Sequence, residues 1–229
     1  MVMAAPLATT TARTDFLWPM PMTDLDRLRL TQILSPAFPI GTFAHSQGLE
    51  WAIASGRVTD GPVLQDWIEA VLCHGSGHSD AVFLSLARRP AADLAALADL
   101  YAAYLPSVGR ALEAAELGRG FVTLTDPKTA PLPYSLALGR ETAAMAVNEA
   151  EILGFFLQSL AAQLISVAIR FMPLGQTEGQ RILAALAPII ATTAEACAGA
   201  TEDDLWTFAP GADIAAMAHE SMETRIFRT

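Results

Sequence analysis

Apolar residues recur at helical spacing along almost the whole chain. The spacing predicts a short helix over 24–34, with Thr23 as its N-cap, and a second over 44–55 that stops at Gly56. Asp60 and Pro62 open a third, whose Val63, Leu64, Trp67, Ile68, Val71 and Leu72 form one apolar face. Further helices are expected near 80–88 and from Pro90 to about Tyr104. The next runs from a Ser107 cap to the glycines at 118 and 120, followed by 135–148 and 150–171. Another covers 177–199 with a bend at Pro188, then a short acidic turn starts at Thr201, and a last helix spans 212–224. No sustained period-two alternation occurs. The expected fold is all-α: a single-domain bundle of about ten helices without a sheet.

Two interruptions stand out. Residues 122–134 hold three prolines with Asp126 and Lys128, the clearest break in the pattern, though no shift in composition marks a domain boundary. The other is Ser35-Pro36-Ala37-Phe38-Pro39-Ile40-Gly41-Thr42-Phe43-Ala44-His45-Ser46-Gln47-Gly48-Leu49-Glu50. Its prolines push Ser35 and Phe38 out of the helical region, and Gly41 can take backbone angles closed to bulkier residues. The segment reads as a stiff, bent, apolar elbow.

Composition narrows the function. Of 229 residues, 52% are hydrophobic and only 17% charged, below the usual quarter, so part of the surface is expected to lie under another protein. A net charge of −10 without a basic stripe disfavours nucleic acid and anionic lipid as partners. The stretch 1–22, rich in Ala, Thr and Pro, lacks the charged start and apolar run of a secretion signal and reads as a disordered tail before a domain over 23–229. Two cysteines without CxxC spacing fit a reduced, cytoplasmic chain. No charge falls between Glu151 and Arg170, yet Gln158, Ser159, Gln163, Ser166 and Arg170 form a polar stripe that lipid would not accommodate. A buried bundle helix with a polar seam fits better than a membrane span. Gln163 and Arg170 mark that seam as a subunit interface or a wet path for an ion.

Candidate chemistry is sparse. His45-Ser46 lacks the first glycine and the preceding strand of a nucleophile elbow, and adjacent helical residues point about 100° apart. Cys73, His74, His78 and Asp80 are the one cluster of metal-ligand types, with Gly75, Ser76 and Gly77 breaking the helix between the histidines. That leaves as readings a glycine-flexed helix end or a small helical metal-binding protein using Cys73, His74 and His78. No phosphate-binding Gly-x-x-x-x-Gly-Lys occurs. The last eleven residues, His219 to Thr229, carry Arg225 and Arg228 around Ile226 and Phe227. Cations suit a helix C-terminus; the apolar pair suits a segment that docks on a partner.

With these blocks in hand, the chain resembles the urease accessory protein UreF family. Ser35, Pro36, Pro39, Gly41, Phe43, Ser46, Gly48, Leu49 and Glu50 match its first motif. Pro173, Leu174, Gly175, Gln176, Gly179 and Gln180 match the second; His219, Glu220, Arg225, Phe227 and Arg228 match the third. The chain departs from the family at His45 (usually Tyr), Arg170 (usually Lys) and Glu223 (near a usual Tyr). The resemblance implies an all-helical homodimer, not an enzyme, that helps load nickel into urease. Its implied partners are UreD (also called UreH), the GTPase UreG and apo-urease. It implies no tightly bound cofactor, nickel being handled by the complex, and possible control of GTP hydrolysis. Candidate partner-binding residues are Phe43, His45, Ser46, Gln176, His219, Glu220, Arg225, Phe227 and Arg228.

Overall fold

A computed structural model describes residues 22–229; apart from Met22, the expected N-terminal tail lies outside them. The helices are α1 (Met22–Ile33), α2 (Leu49–Ala54), α3 (Gly61–His74), α4 (Ser76–Ala87), α5 (Leu94–Tyr104), α6 (Val108–Thr125), α7 (Tyr134–Thr142), α8 (Glu149–Phe171), α9 (Gln176–Cys197) and α10 (Pro210–His219). Two 3-10 turns, Thr42–Ala44 and Glu202–Asp204, complete the elements, and no strand occurs among the described residues.

Local chemistry starts most of these helices. Asp60 accepts from Val63 N, Ser107 from Arg110 N and Asn148 from Ala150 N. Each satisfies an amide that has no partner inside its helix. Asp93 accepts from the amides of both Ala95 and Ala96, which moves the start of α5 to Leu94 rather than Pro90. Asn148 takes the cap of α8, so α7 ends at Thr142 and not at 148.

Several expected boundaries shift for identifiable reasons. Residues 44–48 are not helical, because Gln47 (φ 54°) and Gly48 (φ 81°) both adopt left-handed backbone, so α2 begins only at Leu49. A Cβ on Gly48 would also lie 2.4 Å from Ala216 N, so this corner has room only for glycine. Helix α6 continues through Gly118 and Gly120. Gly118 serves close packing instead of termination: a Cβ there would sit 1.8 Å from the Leu132 carbonyl. Helix α9 runs unbroken through Pro188, which faces solvent, where the carbonyl it frees at Ala184 is open to water.

Helix α8 is the one described helix long and apolar enough to cross a membrane, with a mean hydropathy of 1.9. It lies at the centre of the bundle, packed by α9, α2, α4 and α3. Helix α4 is buried from Gly77 to Ala87 and joins α3, α5, α7 and α8. Phe83, Phe121, Leu136, Ile152, Leu153 and Leu157 fill the core they share. The stripe of polar residues on α8 receives the elbow. Ser159 Oγ donates to Leu34 O at 3.0 Å, Gln163 Nε2 to His45 O at 3.1 Å and Arg170 to Phe43 O at 3.2 Å. Three carbonyls of a chain too bent for regular structure thus find donors.

Candidate functional site

The elbow and the last residues of the chain meet at one place. After α10 the backbone turns back, and residues 226–229 lie against α2, α6 and the elbow. Glu50, 1% exposed, organises the contact. Its Oε1 accepts from Ile226 N at 2.7 Å, and its Oε2 accepts from Phe227 N at 3.0 Å and from His219 Nε2 at 2.8 Å. Three donors on one buried carboxylate balance its loss of hydration. This is also why the last helix stops at His219 instead of reaching 224.

Beyond Glu50 the contact continues residue by residue. Arg228 N donates to Ala44 O at 2.8 Å. Ser46 donates from both its amide and its hydroxyl to the main-chain oxygen of Thr229, each at 2.6 Å. The Thr229 hydroxyl donates to Glu113 Oε2 at 3.1 Å and lies 3.0 Å from His45 Nδ1. With its single proton on Glu113, it accepts from His45, which places a proton on Nδ1. Phe227, 3% exposed, stacks near Phe171 at 6.1 Å between centroids, and the Arg170 guanidinium sits 4.7 Å over its ring.

Beneath this clasp lies a buried ionic cluster of which the sequence pointed only to Asp80, and there as a metal-ligand type beside the histidines. Arg110 bridges Glu113 and Asp80, Tyr101 donates to Asp80 at 2.7 Å, and Gln47 links Glu113 to Ser76. Burial, only partly opposed by Arg110 and Tyr101, pushes the Asp80 carboxyl up to about 6. Burial would also raise Glu113, but Arg110, His45 and Gln47 reverse this and hold it below its usual value. Burial lowers His45 despite the nearby Glu113 and Glu116. The cluster borders a cavity of about 40 Å³, room for water but far short of the roughly 300 Å³ of a small-molecule pocket.

The candidate residues separate into two groups. His45, Ser46, His219 and Phe227 are buried within the clasp, so the side chain of Phe227 is folded inward rather than presented. Phe43, Gln176, Glu220, Arg225 and Arg228 are exposed. Glu220 accepts from Gly109 N at 2.9 Å, and Arg228 pairs with Glu116 at 2.7 Å. Gln163 and Arg170 hold the elbow. Ser46 is fully buried with its hydroxyl committed to Thr229, which removes it as a nucleophile.

The residues of the metal-binding alternative have other partners in the structure, Asp80 among them through Arg110 and Tyr101. Cys73 Sγ faces Thr193 Oγ1 at 3.6 Å, while His74 and His78 lie on separate helices and stack on Trp206 at 5.7 and 4.2 Å. Among the described residues no group of three or more His, Cys, Asp or Glu is placed to hold a metal ion.

Around the clasp lies an unusual amount of exposed apolar surface. Ile214 and Met217 face outward from α10, with Trp206 and Phe208 just before it; Val108 and Leu112 stand on α6, and Ile226 and Phe43 flank the clasp. Exposed apolar side chains of this kind gain free energy when covered.

Comparison with known proteins agrees with this picture. The UreF family model matches residues 58–187. The urease accessory protein UreF of Paracoccus denitrificans (strain Pd 1222) is 47% identical over 207 residues, covering 89% of this chain and 96% of that protein. The protein of the same name from Cereibacter sphaeroides (strain KD131 / KCTC 12085) is 47% identical over 206 residues, covering 88% and 98%. That of Rhodopseudomonas palustris (strain BisA53) is 43% identical over 219 residues, covering 88% and 92%. With three sequence blocks, an all-helical fold and relatives matched over nearly their whole length, the chain belongs to the UreF family of urease accessory proteins.

Proposed function

We propose that this chain is a non-catalytic assembly factor of urease maturation. It bridges UreD/UreH and the GTPase UreG, works as a homodimer in the cytoplasm, and lets the assembly deliver nickel, as cargo, to apo-urease. The observation that carries this reading is the exposed apolar pair Ile214 and Met217, three apart on α10, with Trp206 and Phe208 exposed just before that helix. Exposed apolar side chains on an acidic molecule gain free energy when a partner covers them.

Influence on GTP hydrolysis would require a cation or an amide to reach the developing phosphate charge. Arg228 is occupied by Glu116, which leaves Arg225 and Gln176 as the exposed side chains suited to that role. The test is co-purification with UreD/UreH and UreG. The double variant Ile214→Asp/Met217→Asp is expected to fold normally and to lose at least one partner. Retention of both partners at unchanged stoichiometry would overturn the reading.

A further inference from the structure

The clasp has the anatomy of a bound peptide. Residues 226–229 carry no regular structure and bend at Ile226 and Phe227, so that both successive amides go to one carboxylate, Glu50. One aromatic side chain, Phe227, is buried, flanked by exposed Ile226 and Arg228, and Arg228 pairs with Glu116 at the rim. Main-chain bonds to Ala44 and Ser46 then hold Arg228 and Thr229. By contrast, once residues 220–222 have closed the end of α10, the rest of the link is solvated: Glu223, Thr224 and Arg225 are all exposed. The segment is therefore attached to the fold by its docking contacts and by a short solvated tether. This is the arrangement of a ligand tethered to its own receptor, with an effective concentration in the millimolar range.

We propose that the surface made by Ala44, Ser46, Glu50, Glu113 and Glu116 is a receptor for a short peptide of the pattern apolar–Phe–Arg–Thr, bent so that two successive amides face Glu50. The chain's own 226–229 fills it here, and the same segment of a second copy can replace it. Main-chain pairing to Glu50 supplies affinity, while the Phe227 pocket and the Glu113/Glu116 pair supply specificity.

The test uses the full chain carrying Phe227→Ala, which weakens the tethered segment, and a fluorescein-labelled peptide of residues 223–229 followed by anisotropy. Saturable binding is expected, at least tenfold tighter than to the unaltered chain, where the resident segment competes. Adding Glu50→Gln should weaken it at least tenfold, because an amide cannot accept from all three donors. Glu116→Gln, which removes only a rim pair, should weaken it less than threefold. Absence of saturable binding up to millimolar peptide, or binding indifferent to Glu50→Gln, overturns the proposal. If Phe227→Ala does not fold, hydrogen exchange on the unaltered chain decides. The amides of Ile226, Phe227 and Arg228 should exchange together at least tenfold faster than those of α8. Exchange at the same rate as α8 would make the segment an integral part of the core and end the idea.

Discussion

Asp80 is the residue at which charge and burial conflict most sharply. It shares Arg110 with Glu113, so a single buried cation faces two carboxylates. With its folded carboxyl raised to about 6 from 3.8, folding takes up a proton between roughly pH 4 and 6. The contribution of this group to stability is therefore highest at the acid end of that window and falls as pH rises through it. Asp80→Asn keeps an acceptor for Tyr101 and leaves the Arg110–Glu113 pair neutral. Denaturant unfolding across pH 4 to 7 should show a flatter profile for Asp80→Asn than for the unaltered chain. An identical profile would mean that Asp80 is not raised. Gln47 is a second instance: its left-handed backbone is rare for a residue other than glycine, and its side chain is held from both ends by Glu113 and Ser76.

At the scale of elements, the central helix α8 works as a cradle for irregular chain. Gln163→Leu removes the donor to His45 O and leaves a buried carbonyl without a partner. A loss of about 1–3 kcal/mol is expected, together with faster hydrogen exchange at the His45 and Ser46 amides. Unchanged protection there would show that the elbow stands without α8.

The helices themselves were legible because their signals are local: the Asp60, Ser107 and apolar-stripe patterns lie within a few residues of the turns they direct. The failures arose where a distant contact decides. Gly118 looks like a stop until the Leu132 carbonyl is seen against it. Residues 44–48 have helical composition until Gln47 and Gly48 turn left-handed. The clasp was the least legible feature, since Glu50 and Phe227 meet across 177 positions of sequence and neither carries a local mark of the other. The motifs drew attention to both ends of it, but not to Arg110 or Glu113 beneath, and Asp80 stood out only as a companion of the histidines. The i,i+3 spacing of Arg110 and Glu113 was the available hint, and on a helix that spacing usually signals an exposed pair.

For the whole molecule, the described structure has a well-filled core, a polar clasp, and large apolar side chains exposed on α10 and α6. Its cavities at the clasp are too small for a substrate, and its serine, histidine and cysteine candidates are committed to structural contacts. On the proposed reading, a protein so built acts through its surfaces. Substitutions at Ile214 and Met217 should therefore leave folding stability within about 0.5 kcal/mol while removing function.

The measurement closest to this claim is the nickel content of urease purified from cells in which the chain is replaced by Ile214→Asp/Met217→Asp. The account predicts urease largely free of nickel while the folded variant accumulates to its normal level. Fully loaded urease in those cells would contradict it.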